Sequence, residues 1–155
     1  MTNLTPEQKA REIIDRKLIA SGWVVQDKDK INFNAGSGIA IREYQTSIGP
    51  VDYALFANNE PVGIVEAKKD SEGHRLTMHE EQAEGYAQSQ LRYLDNDPLP
   101  FVYESTGEVT RFTDMRDPSP RSRPVFSFHR PETLAKWIGE EITLRSRFDN
   151  IPVLQ

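Results

Sequence analysis

The 155-residue sequence contains no cysteine, no long apolar run and no excess of basic side chains. Without cysteine it can form neither a disulfide nor a thiolate metal site. No stretch approaches the roughly 20 apolar residues that cross a bilayer, so we predict neither a membrane span nor a signal peptide and expect a cytoplasmic location. The absence of a Gly-x-x-x-x-Gly-Lys-Ser/Thr loop predicts that this chain binds no ATP through a P-loop. With a net charge of −5, any contact with nucleic acid must come from a local patch.

The order of the elements predicted from the sequence is that of an α/β domain. A capping box that begins at Thr5 predicts a helix over Pro6–Ala20, and a second one at Thr77 predicts a long helix that reaches about Leu94. Apolar runs predict the strands, two pairs of which form hairpins, and a last amphipathic segment predicts a helix. These elements are Trp23–Val25, Gly38–Thr46, Val51–Phe56, Val62–Lys68, Phe101–Tyr103, Val109–Phe112, Val125–Phe128 and the helix Pro131–Ile138. We therefore predict a mixed β-sheet flanked by helices.

Three charged residues interrupt the otherwise apolar strands of the first hairpin: Asp52, Glu66 and Lys68. Residues two apart in a strand share a face, so Glu66 and Lys68 point the same way. Burial of a lone carboxylate is unfavourable, whereas a carboxylate pair that binds a divalent cation beside an ammonium group offsets that cost. The three residues are therefore best explained as one site.

The turn of this hairpin decides whether the two carboxylates can meet. A two-residue turn at Asn58–Asn59 would place Asp52 opposite Val65, with Glu66 on the other face of the sheet. A turn with an odd number of residues, such as Asn58–Glu60, would place Asp52 directly across from Glu66. A shared cation therefore predicts the longer turn.

The same residues resemble a known nuclease motif. Asp52, thirteen intervening residues and Glu66–Lys68 look like the PD-(D/E)xK motif, with Val51 inserted between its proline and its aspartate. Six segments, in the right order and spread over nearly the whole chain, resemble the amino-terminal nuclease domain of the restriction (R) subunit of type I restriction enzymes. They are Gly38–Tyr44, Gly49–Phe56, Glu60–Asp70, Gln82–Tyr86, Pro100–Glu108 and Val125–Trp137.

The resemblance implies a restriction-endonuclease-like fold and a type I site-specific deoxyribonuclease. Residues 1–155 would be a single nuclease domain, a fragment that lacks the helicase-like motor of the full-length chain. The implied activity is Mg²⁺-dependent hydrolysis of double-stranded DNA in an ATP-driven complex with modification and specificity subunits. ATP would be used by the full-length subunit and not bound by this fragment.

The resemblance also implies the roles of individual residues. Asp52 and Glu66 would be the metal carboxylates, the backbone carbonyl of Ala67 a third ligand, and Lys68 the catalytic cation. These assignments agree with the preference of Mg²⁺ for oxygen ligands and with the need for positive charge where negative charge develops.

Three helical residues extend this predicted site. Gln82 and Tyr86 match the family's Gln-x-x-x-Tyr motif, and their spacing of four puts them on one helix surface that could hold the DNA backbone or brace the site. A Tyr packed on the sheet beside a solvated Gln is the alternative. Glu12 in the first helix is a possible further carboxylate of the metal shell, or a solvated helix residue.

Two other functions stay open from the sequence. One is a non-catalytic docking or DNA-contacting module of the same complex, although a scaffold would not need three charges on one face. The other is a standalone junction-resolving or repair nuclease, which the acidic balance disfavours. Five arginines within one short span could follow a DNA backbone, lie in a solvated loop or face the motor: Arg111, Arg116, Arg121, Arg123 and Arg130.

Overall fold

The computed structural model describes residues 5–47, 49–68 and 99–149, with side chains up to residue 140. Within these ranges lie helix α1, strands β1 to β7, a short 3₁₀ helix and helix α2. Their bounds are α1 Pro6–Ala20, β1 Val24–Asp27, the 3₁₀ helix Phe33–Ala35, β2 Gly38–Thr46, β3 Gly49–Ala57, β4 Glu60–Ala67, β5 Phe101–Ser105, β6 Thr110–Asp114, β7 Arg123–Val125 and α2 Pro131–Asp149. None of the helices in the described ranges has the length and apolar character needed to cross a membrane.

The sheet is mixed and its strands follow chain order from β1 to β7. The pairs β1–β2 and β4–β5 are parallel, and the other four neighbouring pairs are antiparallel. The predicted α/β class with a mixed sheet is confirmed. The predicted helix from Thr77 to Leu94 lies outside the described residues.

The first helix has the bounds that its capping box predicts. The Thr5 hydroxyl accepts a hydrogen bond from the Gln8 N–H at 3.2 Å, and the Gln8 side chain accepts one from the Thr5 N–H at 2.8 Å. These bonds satisfy donors that a helix start otherwise leaves unpaired. Ala10, Ile14 and Leu18 form its buried face.

Two predictions at the other end of the chain are wrong in detail. The last strand is Arg123–Val125 instead of Val125–Phe128, because it pairs along β6 only as far as Val125. Phe126, just beyond this pairing, is fully exposed. Helix α2 continues past the predicted end at Ile138 as far as Asp149.

The two faces of the sheet bury separate apolar clusters. One cluster joins residues of α1 and α2 to one face, with Ile14, Tyr53 and Leu134 among its members. The other cluster contains Ala54 and Ile64 from the opposite face of the central hairpin. Alternation along the strands therefore gives each face its own core.

The hairpin β3–β4 corrects the predicted turn. Asn58 and Asn59 form a two-residue turn, each with a positive φ (51° and 66°), as the turns that match the twist of a hairpin require. The register then shifts by one residue, because Phe56 pairs with Pro61 whereas Leu55 pairs with Gly63. The predicted odd-numbered turn is wrong, and a β-bulge supplies the one-residue shift instead.

The bulge determines which residues of β3 and β4 lie opposite each other beyond it. Beyond it, Tyr53 pairs with Val65, and the next residues of the two strands are Asp52 and Glu66. Without the bulge, the two-residue turn would place Asp52 opposite Val65. The extra residue in β4 therefore brings the two carboxylates to neighbouring positions.

Candidate active site

The Asp52 side chain of β3 contacts two other elements, α1 and β4. Its Oδ2 accepts a hydrogen bond from the backbone N–H of Ala67 at 2.8 Å, which ties it to the end of β4. Its Oδ1 forms an ion pair with the Arg11 guanidinium of α1. The Asp52 side chain is only 17% exposed, so these contacts replace much of its hydration.

The regular alternation of the sheet is interrupted beside Asp52. Ile41 and Tyr44 lie three residues apart in β2 yet belong to the same apolar cluster, and so do Val51 and Ala54 in β3. Glu43, between the two β2 residues, has a φ of 52°, a left-handed conformation that is uncommon for a side chain other than glycine. This local distortion accompanies the contacts that Asp52 makes with both α1 and β4.

Glu66 is buried in the sheet, with 6% of its surface exposed. Its Oε1 is buried and has no hydrogen-bond partner within the described part of the chain. Burial raises the pKa of Glu66 to about 8, the nearby negative charge of Asp52 adds to the rise, and Lys68 opposes it. The two carboxylates are thus close enough to repel each other in the absence of a cation.

Lys68 follows β4 and is half-buried. Its backbone N–H donates to the carbonyl of Ser105 in β5 at 2.7 Å, which fixes the chain where β4 ends. The positive charge of its ammonium group lowers the pKa of Glu66. The structure therefore brings Asp52, Glu66 and Lys68 into one electrostatic cluster.

The structure does not bring Glu12, a further residue predicted for the site, to the two carboxylates. Glu12 is exposed, and the described contacts of its side chain include none with Asp52 or Glu66. Arg11, one residue earlier, is the side chain of α1 that reaches Asp52. Gln82 and Tyr86 lie outside the described residues.

Sequence reasoning missed two residues beside the cluster. Glu104 of β5 pairs with Glu66 in the parallel register and is 2% exposed. The sequence did contain a signal for Glu104, because it is a charged residue within an otherwise apolar strand, like Asp52. Arg11 gave no comparable signal, since a basic residue on an amphipathic helix is ordinarily solvated.

The donor set fits a divalent cation such as Mg²⁺. The fit rests on the buried Glu66 oxygen without a described partner and on the mutual repulsion of two adjacent carboxylates. Among the described residues no three Asp, Glu, His or Cys side chains are arranged to hold a metal ion. Two carboxylates with a backbone carbonyl and water suit Mg²⁺, which commonly keeps several waters and takes one or two carboxylates.

The raised pKa of Glu66 predicts that the free energy of unfolding falls as the pH rises. Between pH about 4.5 and about 8, the folded state keeps a proton that the unfolded state releases. This stabilisation is fully present below pH about 4.5 and is lost as the pH rises through about 8. Each pKa unit corresponds to about 1.4 kcal/mol, so we expect a loss on the order of a few kcal/mol.

Urea unfolding at several pH values, with a chelator present, measures this loss. Glu66→Gln cannot titrate at this position and is expected to lose less stability over the same window. Equal pH slopes for the wild type and the variant would contradict the assigned protonation of Glu66.

The five arginines of the basic span are mostly engaged with the protein. Arg111 donates to the hydroxyl and the carbonyl of Ser122 at 2.7 and 2.8 Å. Arg116 binds the carboxylate of Asp114 and donates to the Trp137 carbonyl at 3.1 Å. These contacts brace the loop after β6, which favours a structural role for Arg111 and Arg116 over a DNA-facing one.

Comparisons with known proteins agree with this fold. Residues 25–108, more than half of the chain, match the family described as the type I restriction enzyme EcoKI endonuclease subunit second domain. The chain is 26% identical to the type I restriction enzyme EcoKI endonuclease subunit of Escherichia coli (strain K12) over 186 residues. That alignment covers 87% of this chain and 16% of the relative, so the chain spans a small part of the relative's length.

A solved structure gives the same result for the fold. The fragment structure assigned to an HsdR subunit of a type I restriction enzyme from Vibrio vulnificus YJ016 superposes with a TM-score of 0.55 at 18% identity. The match covers 89% of this chain and 26% of the other. The resemblance recognised in the sequence is thereby confirmed, and the chain belongs to the family of the type I restriction enzyme EcoKI endonuclease subunit second domain.

Proposed function

We propose that this domain is a Mg²⁺-dependent endonuclease that hydrolyses phosphodiester bonds of double-stranded DNA within an ATP-driven type I restriction complex. The observation that supports it most directly is the Asp52–Glu66 pair, in which Glu66 is buried, one of its oxygens has no partner among the described residues, and the charge of Lys68 lowers its pKa. A purely structural hairpin gains nothing from burying such a group. Membership of an endonuclease subunit family supports the same reaction.

Each residue of the proposed site would have its own role in hydrolysis. Asp52, Glu66 and the Ala67 carbonyl would hold the cation, which when bound lowers the pKa of a water molecule and neutralises charge on the phosphate. The Ala67 N–H orients the Asp52 carboxylate. Lys68 supplies positive charge where the attacked phosphate becomes more negative.

The proposed partners follow from the same family. DNA would be the substrate, and a helicase-like motor on the same full-length chain would use the ATP. Modification and specificity subunits would complete the complex. Gln82 and Tyr86 remain proposed residues for contact with the DNA backbone or for bracing the site.

Calorimetric titration of Mn²⁺ into the chain tests the cation site. We expect binding by the wild type and a loss of at least about tenfold in affinity in Asp52→Asn, because one carboxylate ligand is removed. Asp29→Asn is the matched control, since Asp29 is exposed in the turn after β1 and has no place in the site. Equal affinities for the wild type and Asp52→Asn would reject the assignment.

A further inference from the structure

Arg11 is a cationic side chain of α1 that reaches Asp52. Its Nη2 binds Asp52 Oδ1, and its Nη1 lies 3.1 Å from Glu43 Oε1. Its Nε is buried and has no hydrogen-bond partner among the described residues. The guanidinium thus has two carboxylate partners and a buried Nε that the described residues leave without one.

Side chains next to Asp52 in the sheet hold the turn of α1 that carries Arg11. The hydroxyl of Tyr53, the residue after Asp52, lies 3.1 Å from the Arg11 carbonyl and 2.5 Å from the Asp15 carboxylate. Arg42 also binds the Asp15 carboxylate, at 2.6 Å. These contacts fasten one turn of α1 to the strand that carries Asp52, so the meeting of Arg11 and Asp52 is built into the packing.

A surface cavity of about 280 Å³ opens beside this contact. Two cationic side chains, Arg11 and Lys28, line it together with Asp52. The remaining lining residues are Glu43, Gln45, Pro50 and Val51. A group that enters the cavity would therefore meet Arg11 next to the proposed cation site.

We propose that Arg11 is a further binding residue of the site, which pairs with Asp52 when no divalent cation is bound and with a DNA backbone phosphate in the adjoining cavity when a cation has replaced it. The proposal rests on the proposed function. It adds a residue outside the Asp, Glu and Lys motif and gives that residue two successive partners.

Charge and geometry support the exchange. A guanidinium and a divalent cation at the same carboxylate repel each other, so cation binding weakens the hold of Asp52 on Arg11. Arg11 can stay close because Glu43 offers a second carboxylate at the cavity wall. The planar fork of donors matches two phosphate oxygens, and Arg is the side chain best suited to this contact.

The first arm of the test measures cation binding. Ca²⁺, which also prefers oxygen ligands, is titrated into the chain in buffer alkaline enough to ionise Glu66. Arg11→Gln is expected to bind Ca²⁺ roughly two- to fivefold more tightly, because a partly exposed ion pair no longer competes. Arg16→Gln, a matched change on the exposed face of α1, should leave the affinity unchanged.

The second arm measures binding of a short DNA duplex at several salt concentrations. With Ca²⁺ present, Arg11→Gln should lower the salt dependence of binding by about 0.9 in slope, the value for one lost phosphate contact. With a chelator instead of Ca²⁺, the wild type and Arg11→Gln should bind alike. Arg11→Lys, which keeps the charge but not the fork, should retain the slope and bind DNA more weakly than the wild type.

The outcomes separate this inference from the proposed function. If Arg11→Gln binds Ca²⁺ no more tightly than the wild type, or keeps the full salt slope, the role of Arg11 is overturned while a loss of binding in Asp52→Asn still supports the cation site. If the wild type and Asp52→Asn bind Ca²⁺ equally, the proposed function fails and the inference fails with it.

Discussion

Lys68→Ala is expected to reduce DNA cleavage by the assembled restriction complex by about 10²–10³-fold or more, the cost of removing one preorganised group that stabilises transition-state charge. Lys68 is a half-buried residue two positions after Glu66, and its positive charge lowers the pKa of that carboxyl beside the proposed cation site. Its backbone position should persist, because the Lys68 N–H bonds to Ser105 whatever the side chain is. Conversion of supercoiled plasmid to linear product measures the rate.

Two controls separate catalysis from folding in this experiment. The free energy of unfolding of Lys68→Ala should stay within about 1 kcal/mol of the wild type, since no buried packing is lost. Lys136→Ala removes an exposed lysine on α2 and should cleave normally. ATP hydrolysis by the complex should also persist, so a variant that lost both activities would point to a docking role for the domain.

Local signals in the sequence predicted most of the described elements. The capping box at Thr5 gave α1 its observed bounds, because the bonds that begin a helix involve residues only three positions apart. The hairpins were likewise predicted from two apolar runs on either side of a turn. Local signals could not place the last strand, because β7 is defined by its pairing with β6 and not by an apolar run of its own.

The one-residue shift in the central hairpin was predicted in the wrong place. If Asp52 is to face Glu66, the hairpin must contain an odd number of unpaired residues between them, and the structure does show a one-residue shift. Asn58–Asn59 is nonetheless typical of a two-residue turn, because both asparagines tolerate positive φ. The extra residue lies in β4 as a bulge beside Gly63. An isolated glycine within a strand is a local signal of a bulge, and the turn prediction did not use it.

The sequence did not reveal that Arg11 meets Asp52, because this depends on contacts between elements that are far apart in the chain. The first helix does reach the site, but through Arg11 and not through Glu12, and successive helix residues point about 100° apart. The rotation of α1 is set by Tyr53 and Asp15, which join the helix to the sheet across a long stretch of chain. A periodic pattern predicts which helix face is buried, but not which residue at its margin meets a carboxylate.

Gly63→Ala is expected to lower the free energy of unfolding by at least about 2 kcal/mol, because a methyl group has no room between β4 and β5. A Cβ at this position would lie 2.4 Å from the carbonyl oxygen of Phe101, the residue with which Gly63 pairs. Strand β5 cannot retreat easily, since β6 holds its other edge. Urea unfolding followed by the fluorescence of Trp23 and Trp137 measures the change.

The same substitution should weaken the cation site at the far end of β4. Gly63 immediately follows the bulge that sets the phase of Glu66, and β5 anchors the Lys68 backbone through Ser105. Forcing the two strands apart therefore disturbs both proposed site residues, Glu66 and Lys68, and Mn²⁺ affinity should fall together with stability. Gly139→Ala is the matched control, because a Cβ there meets no atom of the described residues within 4 Å and alanine favours a helix by roughly 0.5–1 kcal/mol. If Gly63→Ala unfolded at the wild-type urea concentration, the close approach of β4 to β5 could not be what aligns Glu66 and Lys68.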